Sequence, residues 1–164
     1  MLVNAAIVFA TVLVMELVAA AIHRYVMHGP GWVWHRSHHE PHSGLLERND
    51  LYAVVFAAVA MVLILWTGPS GGPLYWIGIG MSVYGALYFV VHDGLVHQRW
   101  PFRHVPKNPY LKRLVQAHRL HHAVEGREGC VSFGFLYAPP VKRLRDELRG
   151  RDGVLGPARD KVKS

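Results

Sequence analysis

Ten of the chain's 12 histidines fall into four short groups. HRYVMH supplies His23 and His28, and HRSHH supplies His35, His38 and His39. HDGLVH supplies His92 and His97, and HRLHH supplies His118, His121 and His122. The spacings run HxxxxH, HxxHH, HxxxxH, HxxHH, so the second half repeats the pattern of the first. Neutral imidazole is the commonest side-chain metal ligand. Ten rings exceed the needs of one tetrahedral zinc. They suit two ions with about five nitrogen ligands each, and an O2-activating iron pair is the natural candidate because imidazole suits iron.

The HxxHH spacing has a helical logic. Residues i, i+3 and i+4 share one face, so three imidazoles project together. In NPYLKRLVQAHRLHH, Asn108 can cap and Pro109 fits the first helical position. Leu111, Leu114, Val115, His118, His121 and His122 then form one stripe. HxxxxH is harder to place, because five residues of α-helix leave two rings about 140° apart. Both can serve one ion only if the helix runs beside the site or is distorted; otherwise they serve different ions. Gly29-Pro30 and Gly94 would ease distortion. Competing motifs fail in detail. After His39-Glu40 an HExxH site needs histidine where Ser43 stands, and Pro41 would break the helix. GxSxG, P-loop and GxGxxG patterns are absent.

The elements that must position these rings are long apolar runs: Leu2–Ile22, interrupted by Asn4 and Glu16, then residues 51–67 and 74–91. Each approaches the roughly 20 residues needed to span hydrocarbon. The second is short and is expected to extend at its ends, with Asn49-Asp50 as its cap. GPSGGP, residues 68–73, breaks the chain before the third run. The start lacks the basic region of a signal peptide and reads as a retained helix. The expected fold is an all-α integral membrane bundle of three to four spanning helices. A membrane-embedded domain would cover residues 1–140, and a basic, mobile tail 141–164, whose first part can form a surface helix. Residues 130–139, CVSFGFLYAP, are too short to span and could enter the interface or cover a site.

The charge supports the same topology. The formal net charge is +7, yet none of the 18 Lys and Arg residues precedes Arg24 or lies between Leu51 and Val91. This is the positive-inside asymmetry of a membrane protein, which puts the histidine face in the cytoplasm. With no recognisable nucleic-acid-binding module, no nucleic-acid role is expected. One cysteine, Cys130, excludes an internal disulfide, a four-cysteine iron–sulfur cluster and a CxxCH haem site. Asp93 adjoins His92 and could orient its ring, or pair with an arginine. Glu16, inside the first run, is costly in a bilayer and is expected to bond between helices or to stand behind a ligand.

The four groups resemble the histidine boxes of the membrane fatty acid hydroxylase superfamily, with its di-iron centre. The strings VMHGPGWVWHRSHHEPHSG, NDLYAVVFAAVA, VHDGLVHQRWPFR and AHRLHHAVEGREGCVSFGFLYAPP look very like those of the bacterial β-carotene 3-hydroxylases. The likeness covers residues 16–140. It implies O2-dependent, non-haem di-iron hydroxylation of C3 of β-ionone rings, from β-carotene through β-cryptoxanthin to zeaxanthin, with electrons from a ferredoxin-type donor. All ten box histidines are then iron-ligand candidates, while His42 and His104 lie outside the boxes. Zinc can replace iron in a purified sample. The alternatives are a related di-iron lipid hydroxylase or desaturase, a carotenoid ketolase, or a non-enzymatic membrane metal-binding protein. A metal carrier would be expected to place ligands along its spans, and here the spans hold only Glu16.

Overall fold

Three long helices dominate the computed structural model, which describes residues 1–40, 46–101 and 104–151. α1 (Leu2–Ile22) runs without a break into a π-helical turn, His23–Met27. α2 is Trp32–His39 and α3 is Asp50–Thr67. α4 (Pro73–Tyr88) likewise continues into a π-helical segment, Phe89–Val96. α5 (Pro109–His121) and α6 (Val141–Arg149) complete the set, and no β-strand occurs among the described residues.

Three helical stretches are long and apolar enough to cross a membrane: Leu2–Met27, Asp50–Thr67 and Pro73–Val96. The second does not extend as expected. It gains Asp50 alone, because Gly68 turns to φ 61° directly after Thr67 and ends the helix. α4 packs between α1 and α3. Two glycines allow this on opposite faces of α4. A methyl group on Gly78 would lie 3.0 Å from Ala60 O on α3, and one on Gly80 would lie 3.1 Å from Val8 O on α1. Such contacts let helix backbones approach where lipid removes any hydrophobic drive to associate. Leu13, Leu17, Leu65 and Trp66 are exposed on the outer faces, as a bilayer solvent permits.

The end of α1, the start of α3 and the end of α4 meet at one end of the bundle. α2, α5 and residues 130–139 close it. Residues 130–139 form neither helix nor strand and are no fourth span. Asn108 caps α5 through Oδ1, which accepts from the amides of Tyr110 and Leu111. α6 buries Leu144 and Leu148 in one cluster with Leu114 and Ala117 of α5. The packed unit therefore continues past residue 140 to residue 149, while 152–164 lie outside the described residues.

Candidate metal centre

The π-helical segments account for the HxxxxH spacing. The His28 amide donates to His23 O at 3.0 Å, and the His97 amide donates to His92 O at 2.9 Å. These i→i+5 bonds widen the turn, so that residues five apart return to the same side of the helix. Ring centroids of His23 and His28 are 5.2 Å apart, and those of His92 and His97 are 4.5 Å apart. The helix is distorted, and each pair stays together.

All ten box histidines meet in two adjoining clusters. In the first, one donor nitrogen from each of His23, His28, His35 and His121 lies within 4.8 Å of the others. His38, His97, His118 and His122 do the same in the second, and His92 Nε2 stands 3.1 Å from His38 Nε2. His39 sits at the seam, its ring 4.4 Å from that of His122 and 5.0 Å from that of His121. The HxxHH triplets do not each serve one cluster. His35 turns to the first and His38 to the second; His121 turns to the first, His118 and His122 to the second. Successive turns of one face point at different ends of the double site. His104 is exposed on a loop, and His42 lies outside the described residues.

Seven of the rings have Nδ1 beside an oxygen that can only accept, so Nδ1–H donates. The acceptors are Phe133 O for His23, Arg127 O for His28, Val124 O for His39 and Val131 O for His121. Asn49 Oδ1 serves His35 at 2.7 Å; Glu47 Oε1 serves His38 and Asp93 Oδ1 serves His92, each at 2.8 Å. Burial then keeps the rings neutral. It lowers His35 to about 3, His39 to about 4 and His122 to about 2, with the neighbouring histidines adding to the effect. It lowers His28, and holds His38, His118 and His121 well below the usual imidazole range. A neutral ring with Nδ1–H presents a bare lone pair at Nε2.

Those lone pairs converge. Nε2 atoms face each other at 3.1 Å in His23–His35, His28–His35, His28–His121 and His38–His92. In all four pairs both Nδ1 atoms are committed as donors, so no proton bridges the gap. Lone pairs so close repel unless a cation lies among them. The spacing fits one, because two nitrogens held at right angles about 2.1 Å from one ion stand about 3.0 Å apart. His39 Nε2 is buried with no hydrogen-bond partner, a further donor in want of a cation. Cys130 Sγ also lies within 4.8 Å of donors on His28, His39 and His121. Burial pushes its thiol up to about 11, which leaves it a protonated neighbour.

Several supports escaped the sequence reading. Asn49 does not cap α3 with its side chain, because that side chain is buried and holds His35. Glu47, which belongs to no spacing pattern in the sequence, holds His38. Arg99 grips Asp50 through two bonds of 2.9 and 2.8 Å, and reaches Glu47 at 3.4 Å and Asp93 at 3.7 Å. Asp93 therefore contacts both a histidine and an arginine. No spacing rule links Arg99 to residues 47 and 50. Among the described residues Glu16 makes no hydrogen bond to a histidine. Its Oε1 accepts from the amides of Phe135, Leu136 and Tyr137 at 2.9–3.0 Å, and its Oε2 accepts from the Tyr84 hydroxyl at 2.8 Å. Glu16 thus anchors the segment whose Val131 and Phe133 carbonyls hold His121 and His23.

An apolar cavity of about 360 Å³ opens between α1, α3 and α4. Met15, Ala53, Phe56 and Ala60 are among its walls, and Tyr88, Asp93 and Phe135 also line it. The Tyr88 ring stacks on His92 at 4.5 Å, and Phe135 stacks on His23 at 5.2 Å. The cavity therefore reaches the wall of both clusters from the level of the spanning helices.

The family model described as fatty acid hydroxylase matches residues 8–139. A protein of Pantoea ananas named beta-carotene hydroxylase is 63% identical over 158 residues, covering 96% of this chain and 90% of the relative. One of the same name from Paracoccus sp. (strain PC1) is 62% identical over 92% of this chain and 93% of the relative. Another, from Pseudescherichia vulneris, is 61% identical over 99% and 92% respectively. No solved structure matches the fold.

Proposed function

The chain belongs to the fatty acid hydroxylase family, and on that premise we propose that it hydroxylates C3 of the β-ionone rings of β-carotene. One addition gives β-cryptoxanthin and the second gives zeaxanthin. The observation that carries this reading is the double cluster of bare imidazole nitrogens at the end of an apolar cavity. The names of relatives more than 60% identical over nearly the whole chain supply the substrate.

In this reading His23, His28, His35, His39 and His121 would hold one iron, and His38, His92, His97, His118 and His122 would hold the other. The bound iron pair supplies the O2-dependent oxidation of an unactivated C–H bond. At C3 a C–H bond is exchanged for C–O with one atom of O2. The other atom leaves as water, which requires two electrons and two protons.

The chain's own residues do the rest. The cavity walls take an apolar ring out of the bilayer and exclude water from the clusters. Acceptors behind the Nδ1 atoms fix each ring's tautomer and aim. In this reading the two electrons come from a ferredoxin-type donor that docks on the basic side. By the positive-inside rule that side, with the histidines and α6, is cytoplasmic.

The test is a pigment extraction from bacteria that accumulate β-carotene and express this chain, beside a His121→Ala control. The expected products carry one and two added oxygens, match hydroxyl standards and are absent from the control. Keto products, or unchanged β-carotene with protein, iron and reductant present, contradict the reading.

A further inference from the structure

The two clusters differ in what stands behind their rings. Around the first, the acceptors that bond His23, His28, His35 and His121 directly are three backbone carbonyls and the neutral Asn49 side chain. His39, at the seam, also donates to a carbonyl. Around the second, His38 and His92 each donate to a carboxylate, Glu47 and Asp93, at 2.8 Å. The side chains of His38 and Glu47 are only 2% exposed, so little solvent screens that pair. Arg99 lies beside both carboxylates and Asp50, at 3.4 Å from Glu47, 3.7 Å from Asp93 and 2.8 Å from Asp50.

A carboxylate behind an imidazole draws on its Nδ1 proton and makes Nε2 the stronger donor. A carbonyl does this less, because it carries no net charge. We propose that the centre is built unequal: Glu47 and Asp93, clamped by Arg99, make the His38/His92 cluster the tight, electron-rich metal site. The neutral acceptors leave the His23/His35 cluster as the weaker one. Glu47, Asp93 and Arg99 are then positioning residues that set the difference between two histidine sites of similar composition. This rests on the two-metal reading above.

The test is withdrawal of ferrous iron, without oxygen, by a coloured chelator from the full-length protein loaded with iron in detergent. Wild type is expected to hold two irons per chain and to release them in two equal phases. Replacing an outer partner of a metal-bound histidine typically costs about 10- to 100-fold in affinity. Glu47→Gln and Asp93→Asn keep an oxygen that can accept from the ring and remove only the charge. Each should speed the slow phase about 10-fold or more and leave the fast phase unchanged. Asn49→Asp adds a carboxylate behind His35 and should slow the fast phase. A single phase in wild type overturns the inference, as does a Glu47→Gln effect confined to the fast phase. Fewer than two irons per chain at saturating iron overturns the two-metal reading itself, by a separate observable.

Discussion

Removing Glu16 should release the segment that covers the histidines while leaving the bundle folded. Three consecutive amides, those of Phe135, Leu136 and Tyr137, donate to one oxygen of this side chain. Hydrogen bonds to a charged acceptor contribute about 1.5–3 kcal/mol each. The low end is appropriate here because Tyr137 is exposed. Three bonds at about 1.5 kcal/mol give about 4–5 kcal/mol, or about 1,000-fold in local opening. Glu16→Gln keeps neutral bonds of about half the strength, so it should lose about 2 kcal/mol, or about 30-fold. The assay is hydrogen–deuterium exchange of detergent-solubilised protein, followed on peptides covering 131–138. Glu16→Ala should exchange about 1,000-fold faster there, with Glu16→Gln between it and wild type. Exchange unchanged over 131–138, or raised equally through α1, α3 and α4, would refute the anchoring role.

Three further outcomes follow from the geometry. Gly85 lines the cavity, and a Cβ there meets nothing within 4 Å. Gly85→Leu should therefore cut β-carotene turnover at least 10-fold with metal content unchanged, as read by pigment chromatography and metal analysis. A methyl on Gly94 would lie 2.8 Å from the Trp100 ring, inside the π-helical segment that joins His92 to His97. Gly94→Ala should lower iron content toward one ion per chain; full occupancy would count against the π-turn argument. The third concerns acid. Folded, metal-free protein holds His35 at about 3, His39 at about 4 and His122 at about 2, against about 6.5 in the unfolded chain. The unfolded chain then binds more protons below pH 6.5. Stability present above that value is lost as pH falls toward 2–4, by about 1.4 kcal/mol per ring per pH unit. The melting temperature of stripped protein should drop between pH 7.5 and pH 5, and a pH-independent value would contradict this account.

The apolar runs predicted the starts of the three candidate spans to within one residue, but the first and third run five residues further, through the π-helical segments that carry histidines. The boxes were legible because ten similar residues repeat in register. Geometry between them was not. The 140° divergence of HxxxxH holds only on an α-helix, and nothing in HRYVMH or HDGLVH announces an i→i+5 ladder beyond the nearby glycines. Asn49 shows a subtler failure. Its place before α3 marks it as a cap, but a buried imidazole outcompetes the amides of a helix start that bond elsewhere. Glu16 was identifiable as costly, yet its partners lie about 120 residues away in a segment without regular structure. Arg99 and Glu47 meet only through tertiary contact, and no periodicity connects them.

The central claim joins the histidine clusters to oxygenation of a carotenoid ring. Its most direct test supplies purified, iron-loaded protein with β-carotene, a ferredoxin-type reducing system and ¹⁸O2, then measures the mass of the products. The account predicts one ¹⁸O in each C3 hydroxyl of β-cryptoxanthin and zeaxanthin, with no label when ¹⁸O is given as water instead. Oxygen drawn from water, or no product from protein holding two irons per chain, would contradict it.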